Sequence, residues 1–178
     1  MPATFHPIEP LQRLNSAEGV ALFVTLAYMA VRMNAPLYNT EILRLAASIP
    51  HHQRLAAPMG SSEKRSPICG SRVTVDVNLA DGRVSEVGML VRACALGQAS
   101  SSLLAANILG KTPAELAGAR DDLTAWLAGD GPTPDWPDLD IFTPALTVTA
   151  RHPSIRLAFE AAAEAAAIAM DPTAGHGA

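Results

Sequence analysis

Cys69 and Cys94 are the only two cysteines in the chain, and the residues between them suggest how the two thiols could meet. Val73, Val75, Val77 and Leu79 alternate with mostly polar residues, the period of a half-buried strand. Asp81-Gly82 supplies a two-residue hairpin turn. Val87, Met89 and Val91 then resume the alternation. An antiparallel hairpin brings its open ends together, so Cys69 before the outgoing strand and Cys94 after the returning one are expected to be neighbours on one surface. The chemistry of such a pair is metal ligation or sulfur transfer, and both use the thiolate. Cys94 stands just before a helix expected over Gly97 to Leu109, and the unpaired N–H groups of a helix start favour negative charge. Arg92 adds a cation two residues earlier. Gly70 lets the backbone turn tightly beside Cys69. Ser100, Ser101 and Ser102 are expected to bring hydroxyls close to the site. The plain alternative for a single cysteine is a small buried hydrophobe. Two at hairpin-closing positions, with no others in the chain, favour a shared site.

The stretch Pro67-Ile68-Cys69-Gly70, the hairpin, and Cys94 followed by Ala99-Ser100-Ser101-Ser102 resemble the U-type iron–sulfur cluster scaffolds, the NifU N-terminal-like family. The resemblance covers roughly Tyr38 to Ala166. It implies an α+β fold, a small and mainly antiparallel sheet with helices packed on one face. It also implies a non-enzymatic role in iron–sulfur cluster assembly, with a cysteine desulfurase and recipient iron–sulfur proteins as partners. In the family pattern an Asp follows the first Cys-Gly, where this chain has Ser71. A third Cys lies on the last helix in a pattern resembling [KR]-x-x-Cys-x-x-Leu-Ala, and here Ser154 occupies that position ahead of Leu157-Ala158. The Leu-Pro-Pro-Val-Lys motif of some members is replaced by TVTAR. Two thiolates do not complete a tetrahedral site, and neutral serine is a poor ligand for zinc or iron. His152 is the nearest candidate for a third ligand; a lone His beside Pro at a helix start is otherwise a surface residue.

The remaining chain must position these groups. Its length suits one domain with a real core, 49% of the residues being hydrophobic. A net charge of −4 with no basic stripe argues against nucleic-acid binding. Asn39 caps a helix expected from Thr40 to about Ser48, ended by Pro50. His51 to Arg65 lacks periodicity and reads as a loop, with His51-His52 solvated. Gly110 is placed to cap the helix after Cys94. Thr112-Pro113-Ala114-Glu115 is a capping box with Pro at the first helical position, opening a helix to Leu127. Gly129 to Pro137 is a fixed turn-rich break. Ile141 to Ala150 is ambiguous between helix and loop, and Pro153 opens an Ala-rich helix to about Met170. The tail from 171 to 178 is expected to be disordered.

Gly19 to Val31 is apolar but too short to span a bilayer, and it lacks the basic flank of a signal peptide. It reads either as a packed helix capped by Asn15 or Ser16, or as part of an extension. The second reading is preferred: residues 1–32 form an extension and 33–170 the scaffold-like domain. With two cysteines and no signal peptide, a cytoplasmic, membrane-free location is expected.

The leading function is therefore a scaffold that holds iron, sulfur or a transient iron–sulfur cluster through Cys69 and Cys94. A degenerate member that binds zinc or no metal and works by protein contact is the alternative. A thiol redox enzyme is weaker, because the cysteines are not a Cys-x-x-Cys pair and no acid–base partner is evident. If residues 1–32 are an extension, a chain beginning at Met33 melts at the same temperature as the full chain. A large drop would show that Gly19 to Val31 covers the core, since each buried Leu or Phe contributes about 1.5–3 kcal/mol.

Overall fold

The computed structural model describes residues 37–67 and 70–171. The expectations for residues 1–32 and for the tail after Asp171 lie outside them, as do Ile68 and Cys69. Helix α1 spans Thr40–Ala47, with the Asn39 side chain accepting from the Ile42 N–H at 2.9 Å. Strands β1 (Gly60–Arg65), β2 (Arg72–Ala80) and β3 (Arg83–Arg92) form one antiparallel sheet in sequence order. Helices α2 (Ala95–Asn107), α3 (Pro113–Ala128) and α4 (His152–Met170) follow. The fold is the expected α+β arrangement.

The hairpin forms as its sequence dictates. Asp81 and Gly82 both have positive φ, at 51° and 72°, the combination that matches the twist of paired strands. Val73, Val75 and Val77 register against Val91, Met89 and Val87. All six are buried in the core on the face that packs against helices. Around them lie Leu96, Leu104, Phe142, Ile155 and Phe159, each no more than 1% exposed.

Residues 60–65, expected to be loop, are instead strand β1. Its sequence, GSSEKR, hides the alternation, because its helix-facing side carries Gly60, Ser62 and Lys64 rather than Val or Ile. Helix α4 lies too close for larger residues: a Cβ on Gly60 would come within 2.0 Å of the Ala165 carbonyl oxygen and 2.7 Å of the Ala169 nitrogen. Polar side chains complete this contact. The Glu164 carboxylate meets the Lys64 ammonium at 2.7 Å and accepts from the Ser62 hydroxyl. Both partners hold its pKa below the ordinary glutamate range.

The capping box is present, with Thr112 Oγ1 accepting from the Glu115 N–H and Glu115 Oε2 accepting from the Thr112 N–H. Gly129 closes α3 in the left-handed conformation at φ 86°. Gly110 serves differently from the expected cap. Helix α2 ends at Asn107 with Ile108 as its C-cap, and Gly110, at φ 79°, returns the chain to the sheet, its N–H donating to the Val84 carbonyl at 2.8 Å. Trp136 fixes the loop after α3: its ring stands edge-on to Phe159 and its Nε1 donates to the Leu103 carbonyl. The ambiguous Ile141 to Ala150 stretch falls across two 3-10 segments, Leu139–Ala145 and Thr149–Arg151.

The second face of the sheet is partly covered by residues 51–55. Met89 N–H donates to the His51 carbonyl at 2.9 Å and Val91 N–H to His52 Nε2 at 3.2 Å. His51 and His52 thus satisfy the outer edge of β3, although both are exposed. Arg54 and the Leu55 N–H then converge on Asp76, whose side chain is fully buried. Burial opposes ionisation of Asp76, but the Arg54 guanidinium, the Ser61 hydroxyl and the Leu55 N–H outweigh it, so its pKa lies below the ordinary aspartate value.

A depressed folded-state pKa gives stability that is present above the unfolded value and lost as pH falls through the folded one. Asp76→Asn should therefore lower stability by about 1–3 kcal/mol at neutral pH, since the buried acceptor is no longer charged. In denaturant melts the gap from wild type should close in acid below the unfolded aspartate pKa. A gap that is constant with pH would show that the charge contributes nothing.

Candidate functional site

The strands β1, β2 and β3 all run out at one end of the sheet, and the candidate residues follow there. Between Arg65 and Arg72, the Ser66 N–H donates to the Ser71 carbonyl at 2.8 Å and the Gly70 N–H to the Ser66 carbonyl at 3.3 Å. Gly70 has φ 69°, the left-handed conformation that its residue type permits. A Cβ there would touch nothing within 4 Å, so the need for glycine is conformational. Cys69 itself lies outside the described residues, and with it the expected meeting of the two thiols.

Cys94 is the N-cap residue of α2, with extended φ/ψ and no side-chain capping bond, and it is partly exposed. Its N–H donates to Ser71 Oγ at 3.4 Å. Ser71, which is 4% exposed, is therefore fastened beside Cys94. No group of three metal-ligating side chains occurs among the described residues.

Ser154, the third residue of α4, arrives at the same place. It is 1% exposed, and its carbonyl oxygen lies where a Cβ on Gly97 would come within 3.0 Å. The start of α4 thus abuts the first turn of α2 as backbone against backbone. Ser100 Oγ strengthens that contact by donating to the Ile155 carbonyl at 2.6 Å. Ser101 Oγ donates to the Gly97 carbonyl of its own helix, and Ser102 Oγ to the Ser48 carbonyl after α1. The hydroxyls of Ser100 and Ser102 fasten α2 to its neighbours, a role that sequence reasoning did not assign them.

His152 is buried, and its Nε2 lies 2.9 Å from the Ala145 carbonyl oxygen. That oxygen can only accept, so Nε2 carries the proton and only Nδ1 retains a lone pair for a metal. Arg92 ends β3, exposed on the face away from the helices, opposite Arg72. Sequence reasoning also missed Gly97. Its signal was a glycine in the first turn of a helix, where it costs stability unless something approaches closely.

The crystal structure of a nitrogen-fixing NifU-like protein (N-terminal) from Brucella abortus has 37% sequence identity to this chain. The match covers 80% of this chain and 98% of that one, with a TM-score of 0.73. This chain belongs to the NifU N-terminal-like family. A protein from Fervidobacterium islandicum AW-1, named as an iron–sulfur cluster assembly scaffold for the SUF system, shares the fold at 19% identity. There the match covers 73% of this chain and 96% of that one, with a TM-score of 0.67. No family model matches the chain, and neither does any curated protein.

Gly97 thus carries a test of how this NifU-like site is held. Gly97→Val should lower stability by about 1–3 kcal/mol through overpacking, because the new side chain meets Ala93 Cβ and the Ser154 carbonyl. Ser154→Ala should not relieve the loss, since the contact is with backbone. Rescue by Ser154→Ala in a thermal melt would mean that the Ser154 side chain, not its backbone, sets the approach.

Proposed function

We propose that this protein is an iron–sulfur cluster assembly scaffold-like protein that holds iron, sulfide or a transient cluster through Cys69 and Cys94. Kinship with the NifU-like protein across nearly all of that protein's length is the observation that carries this reading. The bond from Cys94 N–H to Ser71, two residues after Cys69 in the sequence, agrees with it. Cargo of this kind needs soft sulfur donors, and Cys94, the N-cap residue of α2, is partly exposed. The role is one of holding and handing over, without catalysis. A cysteine desulfurase is the expected source of sulfur and other iron–sulfur proteins the recipients. No helix among the described residues is long and apolar enough to cross a membrane, which fits a site of action in the cytoplasm.

The second reading, a degenerate member with weak or no metal binding that acts by protein contact, draws on two observations. Buried Ser154 offers no thiolate, and the Nε2 of His152 is engaged with Ala145. Zinc rather than iron would be the metal of that reading.

Anaerobic reconstitution with ferrous iron and sulfide, read by ultraviolet–visible absorption and metal analysis, separates the two. Thiolate-to-iron bands are expected in the wild type, and Cys94→Ala should cut iron content by about tenfold or more. Ser71→Asp combined with Ser154→Cys should raise iron or zinc content above wild type, and Cys94→Ala in that background should abolish the gain. Wild-type protein that takes up no iron under these conditions would overturn the scaffold reading in favour of the degenerate one.

A further inference from the structure

Three arginines lie in one row across the sheet. Arg65 registers against Arg72, and Arg72 against Arg92. Residues paired across strands share a face, and neighbouring strands are about 4.8 Å apart, so the row spans about 10 Å. It lies on the face turned away from the helices, because Val73 and Val91, one residue along, point into the core. Like charges placed directly opposite each other destabilise a sheet. Glu63 offsets part of the charge, 2.7 Å from Arg65 and 3.9 Å from Arg72. No acidic side chain among the described residues pairs with Arg92. The chain as a whole carries −4, so this end of the sheet departs in sign from the rest of the molecule.

Exposed apolar surface adjoins the row. Leu90, two residues before Arg92 and on the same face, is 37% exposed. Further along that face, residues 53–55 close over Gly88 and Asp76. That coverage stops before the end where the arginines stand. All three strands leave the sheet here: Arg65 and Arg72 flank the turn carrying Cys69, and Arg92 stands two residues before Cys94.

We propose that this face docks a partner protein through an acidic segment carrying an apolar side chain. The acidic groups would lie along Arg65, Arg72 and Arg92, and the apolar side chain on Leu90. A single phosphate or carboxylate is too small for a row of about 10 Å and makes no use of Leu90. An acidic peptide uses both, and charge complementarity would speed its encounter and select against basic competitors. A partner held there sits beside Cys94 whether or not the thiol carries cargo. The proposal therefore does not rest on the scaffold reading, and it is tested on metal-free protein.

The test titrates the full chain into a fluorescein-labelled Glu-Glu-Leu-Glu-Glu peptide at low salt, with a Lys-Lys-Leu-Lys-Lys peptide as control, read by fluorescence anisotropy. The acidic peptide should bind and the basic one should not. Arg72→Gln with Arg92→Gln should weaken binding by about tenfold, Arg92→Lys should retain it, and Leu90→Asn should weaken it several-fold. Added sodium chloride should weaken it as well. Because the row is self-repelling, Arg92→Gln should melt no lower than wild type. Unchanged affinity in the double Gln variant would overturn the proposal. So would a fall in melting temperature for Arg92→Gln, which would give the row a structural role. Displacement by inorganic phosphate beyond that by chloride of equal ionic strength would make it a small-anion site, and tighter binding of a single-stranded oligonucleotide would make it a nucleic-acid site. Either result would also overturn it.

Discussion

Helix α4 lies backbone against backbone on two other elements, and the rest of the structure is built around that closeness. At one point the Ala165 carbonyl and the Ala169 nitrogen leave room only for a glycine at position 60 of β1. At its start the Ser154 carbonyl leaves little more than that for residue 97 of α2. The alanines of α4 follow from the same constraint. Ala161, Ala162, Ala165 and Ala166 are wholly buried, and a larger side chain at any of them would lift the helix from its neighbours. Dispersion falls steeply with small gaps, so contact at this range fixes distance more strictly than a layer of Leu and Ile would. Ser154 is held against the first turn of α2 by this rigid arrangement.

The opposite face of the sheet solves a different problem. Strand β3 is an edge, and an unpaired edge invites association. Residues 51–55 cover it with a backbone carbonyl from His51 and a ring nitrogen from His52, then cross to the Arg54–Asp76 pair. Gly88 is required on this side because a Cβ would come within 2.5 Å of the Gln53 carbonyl oxygen. Both faces of one short sheet thus depend on glycines where backbone meets backbone. The coverage stops short of the row of arginines, which leaves the end of the sheet nearest the cysteines exposed.

What the sequence made legible was whatever is encoded locally. The valines of β2 and β3, the Asp81-Gly82 turn, the Asn39 cap and the Thr112–Glu115 box each need only their immediate neighbours, and each was read correctly. Strand β1 was illegible because its pattern is set by α4, about a hundred residues later in the chain. The side that should have carried Val or Ile carries Gly60 and Ser62 instead. His51 and His52 are exposed, as read, but their bonds to the N–H groups of an edge strand leave no mark on sequence. Ser100 and Ser102 were placed at the right end of the right helix, but their hydroxyls were assigned to the site when they bond the Ile155 and Ser48 carbonyls. Gly70 was legible because its left-handed φ is a conformation that its residue type announces.

The dependence of β1 and of the Cys94 neighbourhood on α4 has a consequence for the order in which a ribosome delivers them. The hairpin of β2 and β3 is complete within a short stretch and can pair as soon as it emerges. Strand β1 and the first turn of α2 cannot settle until α4, the last of the described helices to be made, has followed them out. Ser62 and Glu164 meet only then. During synthesis Cys94 therefore exists for a time beside an unfinished wall, accessible to any metal or oxidant at hand, and its surroundings close in a late step.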